Sequence, residues 1–290
     1  MALTNISITP QFGNNTVTAI NCGTSSPKLS GTIDLSAYTN LTNFVCNNND
    51  ITAITGYTSN PNITYFQVSR NKLTGSIPNL TTMTNLQFLL IDNNLFTGSF
   101  PSLPSNINYI GLTNNKLTGT IPNLNGFTNN NFTYLSDNQF SGSIPLLQTG
   151  IQDFVAERCQ LTGTIPSLNS YFNLRNFLIS FNNISGSIPS LNSNTNLRIF
   201  SVVGNSSITG TIPSLSNNTL LTNVYANNCS LQGAIPDLSN NVNLIYFNVA
   251  GQLGGTKINA WTGGTVSNTL GEFLAQDNQL TSSAVNSILA

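Results

Sequence analysis

Asp137 and Glu157 are the two carboxylates whose spacing best suits joint chemistry. Two acidic groups on neighbouring turns of chain suit glycoside hydrolysis, with one as acid and the other as base or nucleophile, or a calcium site. The first needs an enclosed cleft and the second needs several further oxygen ligands. Other common routes are closed from the start. The 290 residues include no histidine, so there is no Ser-His-Asp or Cys-His arrangement and no imidazole metal ligand. Catalysis is not expected, and neither a metal nor a cofactor is implied.

Composition narrows the partners. Eight basic and nine acidic residues leave a net charge of −1, and charged residues make up only 6% of the chain. A chain this neutral lacks the clustered Lys and Arg that phosphate backbones require, which argues against nucleic acid. Polarity comes instead from Asn, Thr, Ser and Gly, with Asn at roughly one residue in six. The 39% of hydrophobic residues suffices for a core. No apolar run is long enough for a membrane span, so no membrane insertion is expected. The opening MALTNISITPQFGNN has neither the basic nor the apolar region of a signal peptide. A cytoplasmic or a virion-associated location both stay open.

The candidate residues are positioned by a repeat. The stretch NKLTGSIPNL at 71–80 returns as NKLTGTIPNL at 115–124. Its leading Asn anchors a series: Asn49, Asn71, Asn94, Asn115, Asn138, Cys159, Asn182, Asn205, Cys229, Gln252 and Asn278, with gaps of 21 to 26 residues. Apolar residues sit eight, five and three places before most anchors and, in most coils, two after them, as Leu174, Phe177 and Ile179 do ahead of Asn182. The −5 and −3 positions fit a short strand with one buried face. A period near 23 leaves no room for a full crossover helix, so the return leg is extended or 3-10. Each coil is too small to fold alone and buries its apolar side by stacking on its neighbours. The anchor amide is expected to bond main-chain groups of its own and the adjacent coil. The glycine after it supplies either a positive φ or a close backbone approach, and the proline an extended return segment.

Written out, the unit is LxxFxLxxNxLTGxIPxL. It resembles the leucine-rich repeat over about residues 29–280, and the LTGxIP half resembles the plant-type subclass of receptor ectodomains and polygalacturonase inhibitors. The resemblance implies a single right-handed horseshoe solenoid of about 11 coils, with a parallel sheet on the concave side. Residues 1–28 are expected to cap its start, with a strand pairing onto the first coil. The ending NQLTSSAVNSILA is expected to close it with a short capping helix over 281–290, N-capped by Ser282 or Ser283. That ending is similar to the closing units of bacterial and phage members.

The cysteines then find places. Cys159 and Cys229 occupy anchor positions and are too far apart to bridge. Cys46 lies on the −3 ladder, and Cys22 on the same rung one coil earlier. Stacked neighbours can fall within disulfide range, but parallel side chains aim poorly at one another. Buried thiols are the expectation, with a bridge as the alternative.

Two further departures stand out. Around NNNFTYLSDN the −5 position is Thr133, so a bulge or slipped strand is expected there. After Gln252 the LTGxIP half is replaced by LGGTKINAWTGGTVSNT. This makes 251–266 an expected irregular insertion, with Trp261 either folding back as a lid or serving as an exposed contact.

On the concave face the solvent-facing positions gather most of the charge and many large side chains. The candidate ligand-binding residues are Tyr65, Arg70, Phe88, Asp92, Tyr109, Tyr134, Asp137, Asp153, Glu157, Arg158, Arg175 and Phe181. Aromatics beside Arg and Asp are the composition of binding hot spots. The leading expectation is a non-enzymatic recognition or adhesion module for a protein or carbohydrate ligand, in the style of a phage virion or bacterial surface component. The alternative is a structural or decoration subunit of a larger assembly. A third reading is ice binding on the convex ladder of Thr74, Thr97 and Thr118.

Overall fold

The computed structural model describes residues 16–23, 26–261 and 270–282. It divides into two compact units, Met1–Phe140 and Ser141–Ala290. Both are parallel β-solenoids, in which odd-numbered strands build one sheet and even-numbered strands form the return legs. No helix among the described residues is long and apolar enough to cross a membrane.

In the first unit β1 (Ala19–Asn21), β3 (Asn43–Val45), β5 (Tyr65–Gln67), β7 (Phe88–Leu90), β9 (Tyr109–Gly111) and β11 (Phe132–Tyr134) pair in parallel, each with the next. On the return side β2 (Ser30–Asp34) pairs with β4 (Asp50–Thr55), and β6 (Thr74–Ser76) with β8 (Leu95–Gly98). β8 pairs in turn with β10 (Lys116–Thr120). Alternation decides the burial: Phe44, Phe66, Leu89 and Ile110 at −5 and Val68, Ile91, Leu112 and Leu135 at −3 are buried.

In the second unit β13 (Asp153–Val155), β15 (Asn176–Leu178), β17 (Ile199–Ser201), β19 (Asn223–Tyr225), β21 (Tyr246–Asn248) and β23 (Glu272–Leu274) pair in the same way. The return legs pair as β12 (Gln139–Ser143) with β14 (Gln160–Thr162), β16 (Ser185–Ser187) with β18 (Ser207–Thr209), and β20 (Gly233–Ile235) with β22 (Ile258–Trp261). Here the −5 column is largely phenylalanine. Phe154, Phe177 and Phe200 stack at centroid spacings of 5.9 and 6.0 Å. Full burial of one such ring stabilises by about 2–3 kcal/mol.

The anchors tie coil to coil. The Asn71 amide donates to Cys46 O at 2.8 Å and Val68 O at 3.0 Å, and its oxygen accepts from Ile51 N at 3.1 Å. Asn49, Asn94, Asn115, Asn138, Asn182 and Asn205 repeat this double link to the preceding coil. Gln252 does the same with one more methylene, and the Asn278 amide donates to Val249 O. At Cys229 only a weaker donor remains, Sγ to Val202 O at 3.4 Å; Cys159 Sγ lies 3.6 Å from Glu157 O.

Two expectations are corrected. Cys22 and Cys46 form a disulfide, with Cα atoms 4.6 Å apart. Parallel pairing of β1 with β3 puts the two side chains on adjacent rungs, and that closeness outweighs their similar direction. Thr133 causes no bulge: β11 keeps register with β9, and Thr133 is fully buried. Its hydroxyl donates to Asn130 Oδ1 at 2.8 Å. Asn130 stands at the −8 place of the same coil, so two polar residues satisfy each other where the repeat puts two apolar ones.

Within 251–266, β22 extends a regular ladder with β20, with one register shift at Gly233–Ala234. Trp261 packs edge-on against Phe273 at 5.8 Å. The helix expected over 281–290 lies outside the described residues beyond Ser282, as does most of the 1–28 segment apart from β1 and its neighbours.

Candidate functional site

The sheet face of the first unit carries two side-chain columns. At −6, Tyr65 and Phe88 lie 5.5 Å apart, and Tyr109 and Phe132 lie 5.9 Å apart. Strand registry stacks these rings because parallel neighbours bring like positions side by side. At −4 the column reads Val45, Gln67, Leu90, Gly111 and Tyr134. Gly111 is the break: a Cβ there would lie 2.8 Å from Asp92 Oδ2 and 3.1 Å from the Tyr109 ring.

The Asp92 carboxylate and the Tyr109 ring take up that place, and beside them lies an open depression of about 420 Å³. Leu90, Tyr109 and Tyr134 wall it, with the two tyrosine rings 5.3 Å apart. Gln67, Ser69, Arg70, Asp92, Asn93 and Thr113 complete it, together with Asn47 and Asn48. The Asp92 carboxylate accepts from Thr113 N at 2.9 Å and from Ser69 Oγ at 3.3 Å. Burial raises its carboxyl above the usual range, and these two hydrogen bonds partly offset that. The depression thus presents a fixed acceptor beside the aromatic pair, with the exposed Arg70 guanidinium bringing positive charge to the lining.

The backbone at the rim follows a rule the sequence reading did not find. The residue just before the anchor is left-handed in coil after coil: φ is 58° at Asn48 and Arg70, 56° at Asn93, 55° at Asn114 and 57° at Asp137. In the second unit Arg158, Phe181, Asn228 and Asp277 do the same. Asn and Asp tolerate this region, whereas Arg and Phe lose roughly 1–2 kcal/mol there. The recurrence of Asn or Asp directly before the anchor is the signal that was available.

Of the expected contacts, Arg70, Asp92, Tyr109 and Tyr134 meet at the depression, with Tyr65 and Phe88 stacked in the adjoining column. Asp137 also belongs to the first unit, at the left-handed place before Asn138. Asp153, Glu157, Arg158, Arg175 and Phe181 belong to the second. There Asp153 is buried and accepts from Asn176 Nδ2 at 2.8 Å. The Phe181 ring is exposed and lies over Gly204, where a Cβ would fall 2.7 Å from it. Gly111, Ser69, Gln67 and Thr113 were not anticipated. A glycine at a strand position was the signal for the first; nothing in sequence marks the others apart from their register.

No protein-family model matches the sequence, and no curated protein matches it. Solved structures do match in fold. A plant peptide hormone receptor, RGFR1 in complex with RGF2, superposes with a TM-score of 0.74 at 24% identity, covering 91% of this chain and 48% of that one. The functional domain of InlJ from Listeria monocytogenes matches at 0.63 and 20% identity, over 87% of this chain and 60% of that one. A plant ice-binding protein matches at 0.57 and 20% identity, over 78% and 80%. The chain spans about half the length of the hormone receptor. The fold is that of the leucine-rich-repeat solenoid.

Proposed function

We propose that the chain is a non-enzymatic recognition module that holds a protein ligand against the sheet face of its first unit. The carrying observation is the depression beside Gly111, where the Asp92 carboxylate, held by Thr113 N and Ser69 Oγ, lies next to the paired rings of Tyr109 and Tyr134. Rigid aromatic walls lose little entropy on binding, and a held carboxylate gives direction to a donor on the ligand. The hormone receptor of like fold is itself in complex with a partner, RGF2, which lends support by analogy of fold. No catalytic role is proposed.

The test is binding of the labelled chain to a panel of cell-surface proteins and glycans. Beside it run the Gly111→Leu variant, whose side chain would displace the Asp92 carboxylate and the Tyr109 ring from the depression, and a Tyr65/Tyr109/Tyr134→Ala variant. Capture of a protein by the parent, lost in both variants while their melting is unchanged, is the expected result. Capture of a glycan alone would replace the ligand class. Capture unaffected by either variant would refute the site. Assembly into larger particles untouched by the variants would favour the structural or virion-decoration alternative.

A second reading rests on the return side of the first unit. Thr74, Ser76, Thr97, Thr118 and Thr120 are exposed there on β6, β8 and β10, and an ice-binding protein shares the fold. Lys116 pairs opposite Thr97 and breaks the row with charge. Recognition therefore remains the stronger reading. Thermal hysteresis of the chain above that of buffer would reverse the order.

A further inference from the structure

The return side of the first unit is split. β2 pairs with β4 and β6 pairs with β8, but β4 and β6 share no rung. The cause lies in one coil. After the anchors Asn71, Asn94 and Asn115, a glycine four places on turns the leg with φ of 79°, 84° and 78°, at Gly75, Gly98 and Gly119. After Asn49 that place holds Ala53, and the left-handed glycine comes three residues later, at Gly56 with φ 75°. β4 therefore runs six residues and carries an extra one, Thr52, against the Gly31–Thr32 step of β2. Its turn presses on the preceding coil: a Cβ on Gly56 would lie 2.3 Å from Ser36 N.

Drawn toward β2, β4 leaves β6 uncovered. Lys72 N donates to Ile51 O at 2.9 Å, and Thr82 Oγ1 to Thr58 O at 3.0 Å. Between those two bonds nothing links the legs by hydrogen bonding among the described residues. The seam is a cavity of about 360 Å³. Phe66, Val68 and Phe96, all core side chains, line it on one side, and the Tyr57 ring stands 5.0 Å from that of Phe66. None of its lining residues is charged. The Tyr57 hydroxyl has no hydrogen-bond partner among the described residues, and burial raises the phenol, which keeps it a neutral donor. An unfilled seam forfeits the dispersion contacts that a regular return leg would supply. Local rules of a repeat are broken at this expense most often where a site is made.

We propose that the seam binds a small uncharged molecule with an aromatic or alicyclic body and one hydroxyl group. The body rests against Ile54, Tyr57, Phe66 and Phe96. The hydroxyl bonds Tyr57, and the unpaired main-chain edges of β4 and β6 offer it further partners. Its volume is within the range of small-molecule sites. The absence of lining charge selects against anions and cations, which would be desolvated without a partner. This site is separate from the sheet-face depression, and neither reading depends on the other.

The test uses three matched probes, 1-naphthol, naphthalene and 1-naphthoate, titrated into the full chain with methyl NMR as the readout. Saturable shifts confined to Ile54, Val68 and Leu73 are expected with 1-naphthol, with 1-naphthoate at least roughly tenfold weaker. Tyr57→Phe should weaken 1-naphthol about threefold to tenfold and leave naphthalene unchanged. Thr74→Trp, at an exposed lip position, should abolish both without changing the fold. The proposal is overturned if 1-naphthol gives no saturable shift, if 1-naphthoate binds equally, or if the shifts fall at Leu90 or in the second unit. Binding untouched by both variants would overturn it as well.

Discussion

Replacing Asn182 by alanine removes at one stroke its two side-chain bonds to the coil before and those within its own coil. The amide donates to Ala156 O at 2.8 Å, Ile179 O at 3.0 Å and, less favourably, Ser180 O at 3.3 Å; its oxygen accepts from Leu161 N at 3.0 Å. Each bond is worth about 1 kcal/mol net. Two of the stranded partners, Ala156 and Leu161, are fully buried residues, and an unpaired buried group costs about 1–3 kcal/mol. A loss of about 3–5 kcal/mol follows for Asn182→Ala. Asn182→Cys should cost less, by about 1–2 kcal/mol, because a thiol can still donate, as Cys229 does to Val202 O. It cannot replace the acceptor for Leu161 N. Urea midpoints give the two costs, and amide exchange at Leu161 should speed up equally in both variants. A change under about 0.5 kcal/mol for alanine would refute the role given to the anchors. So would cysteine and alanine costing the same.

The Cys22–Cys46 bridge closes a loop with a sequence separation of 24, so its reduction should destabilise the first unit by about 3 kcal/mol, read as a lower melting midpoint in reductant. Burial pushes the Cys229 thiol up to about 12, so the native chain should resist alkylation there at pH 8 and react once unfolded. Because that value is raised, the stabilisation is complete below the unfolded thiol value near 9. It is lost as pH rises toward about 12, by about 1.4 kcal/mol per unit, and a urea series across that window tests it. Thr133→Val should cost about 1–2 kcal/mol by stranding Asn130 Oδ1. Asn130→Leu with Thr133→Val should recover most of the loss, since Asn108 O still accepts from Asn131 and Phe132 N.

The solenoid was legible because a repeat states the same instruction many times over. Periodic apolar positions gave the strands, and a fixed Asn gave the ladder that the amide bonds then built. Other features were hidden for definite reasons. Thr133 looked like an error at −5 only while −8 was read separately; Asn130 turns the pair into a satisfied one. The left-handed residue before each anchor was masked by variation, since Arg70, Arg158 and Phe181 occupy it beside the expected Asn and Asp. The site was legible as a column of aromatics and charges, but not as a depression. A depression depends on how side chains from several coils pack together, which no single position of the repeat states.

Both proposed sites on the first unit lie beside glycines out of step with the repeat, and in opposite ways. At Gly111 a glycine stands in a column where neighbouring strands place Leu90 and Tyr134, and the emptied position lets the Asp92 carboxylate settle between Ser69 and Thr113. At Gly56 the glycine is the one the return leg requires, delivered three residues late, and the extra length carries β4 away from β6. A repeat protein has its core fixed by the positions that recur, so its freedom lies in the others. Removing a side chain from the sheet lets a neighbouring carboxylate settle beside a shallow place suited to a protein surface. Delaying a turn opens a seam at the edge of the core, which no surface can enter and a small apolar molecule can.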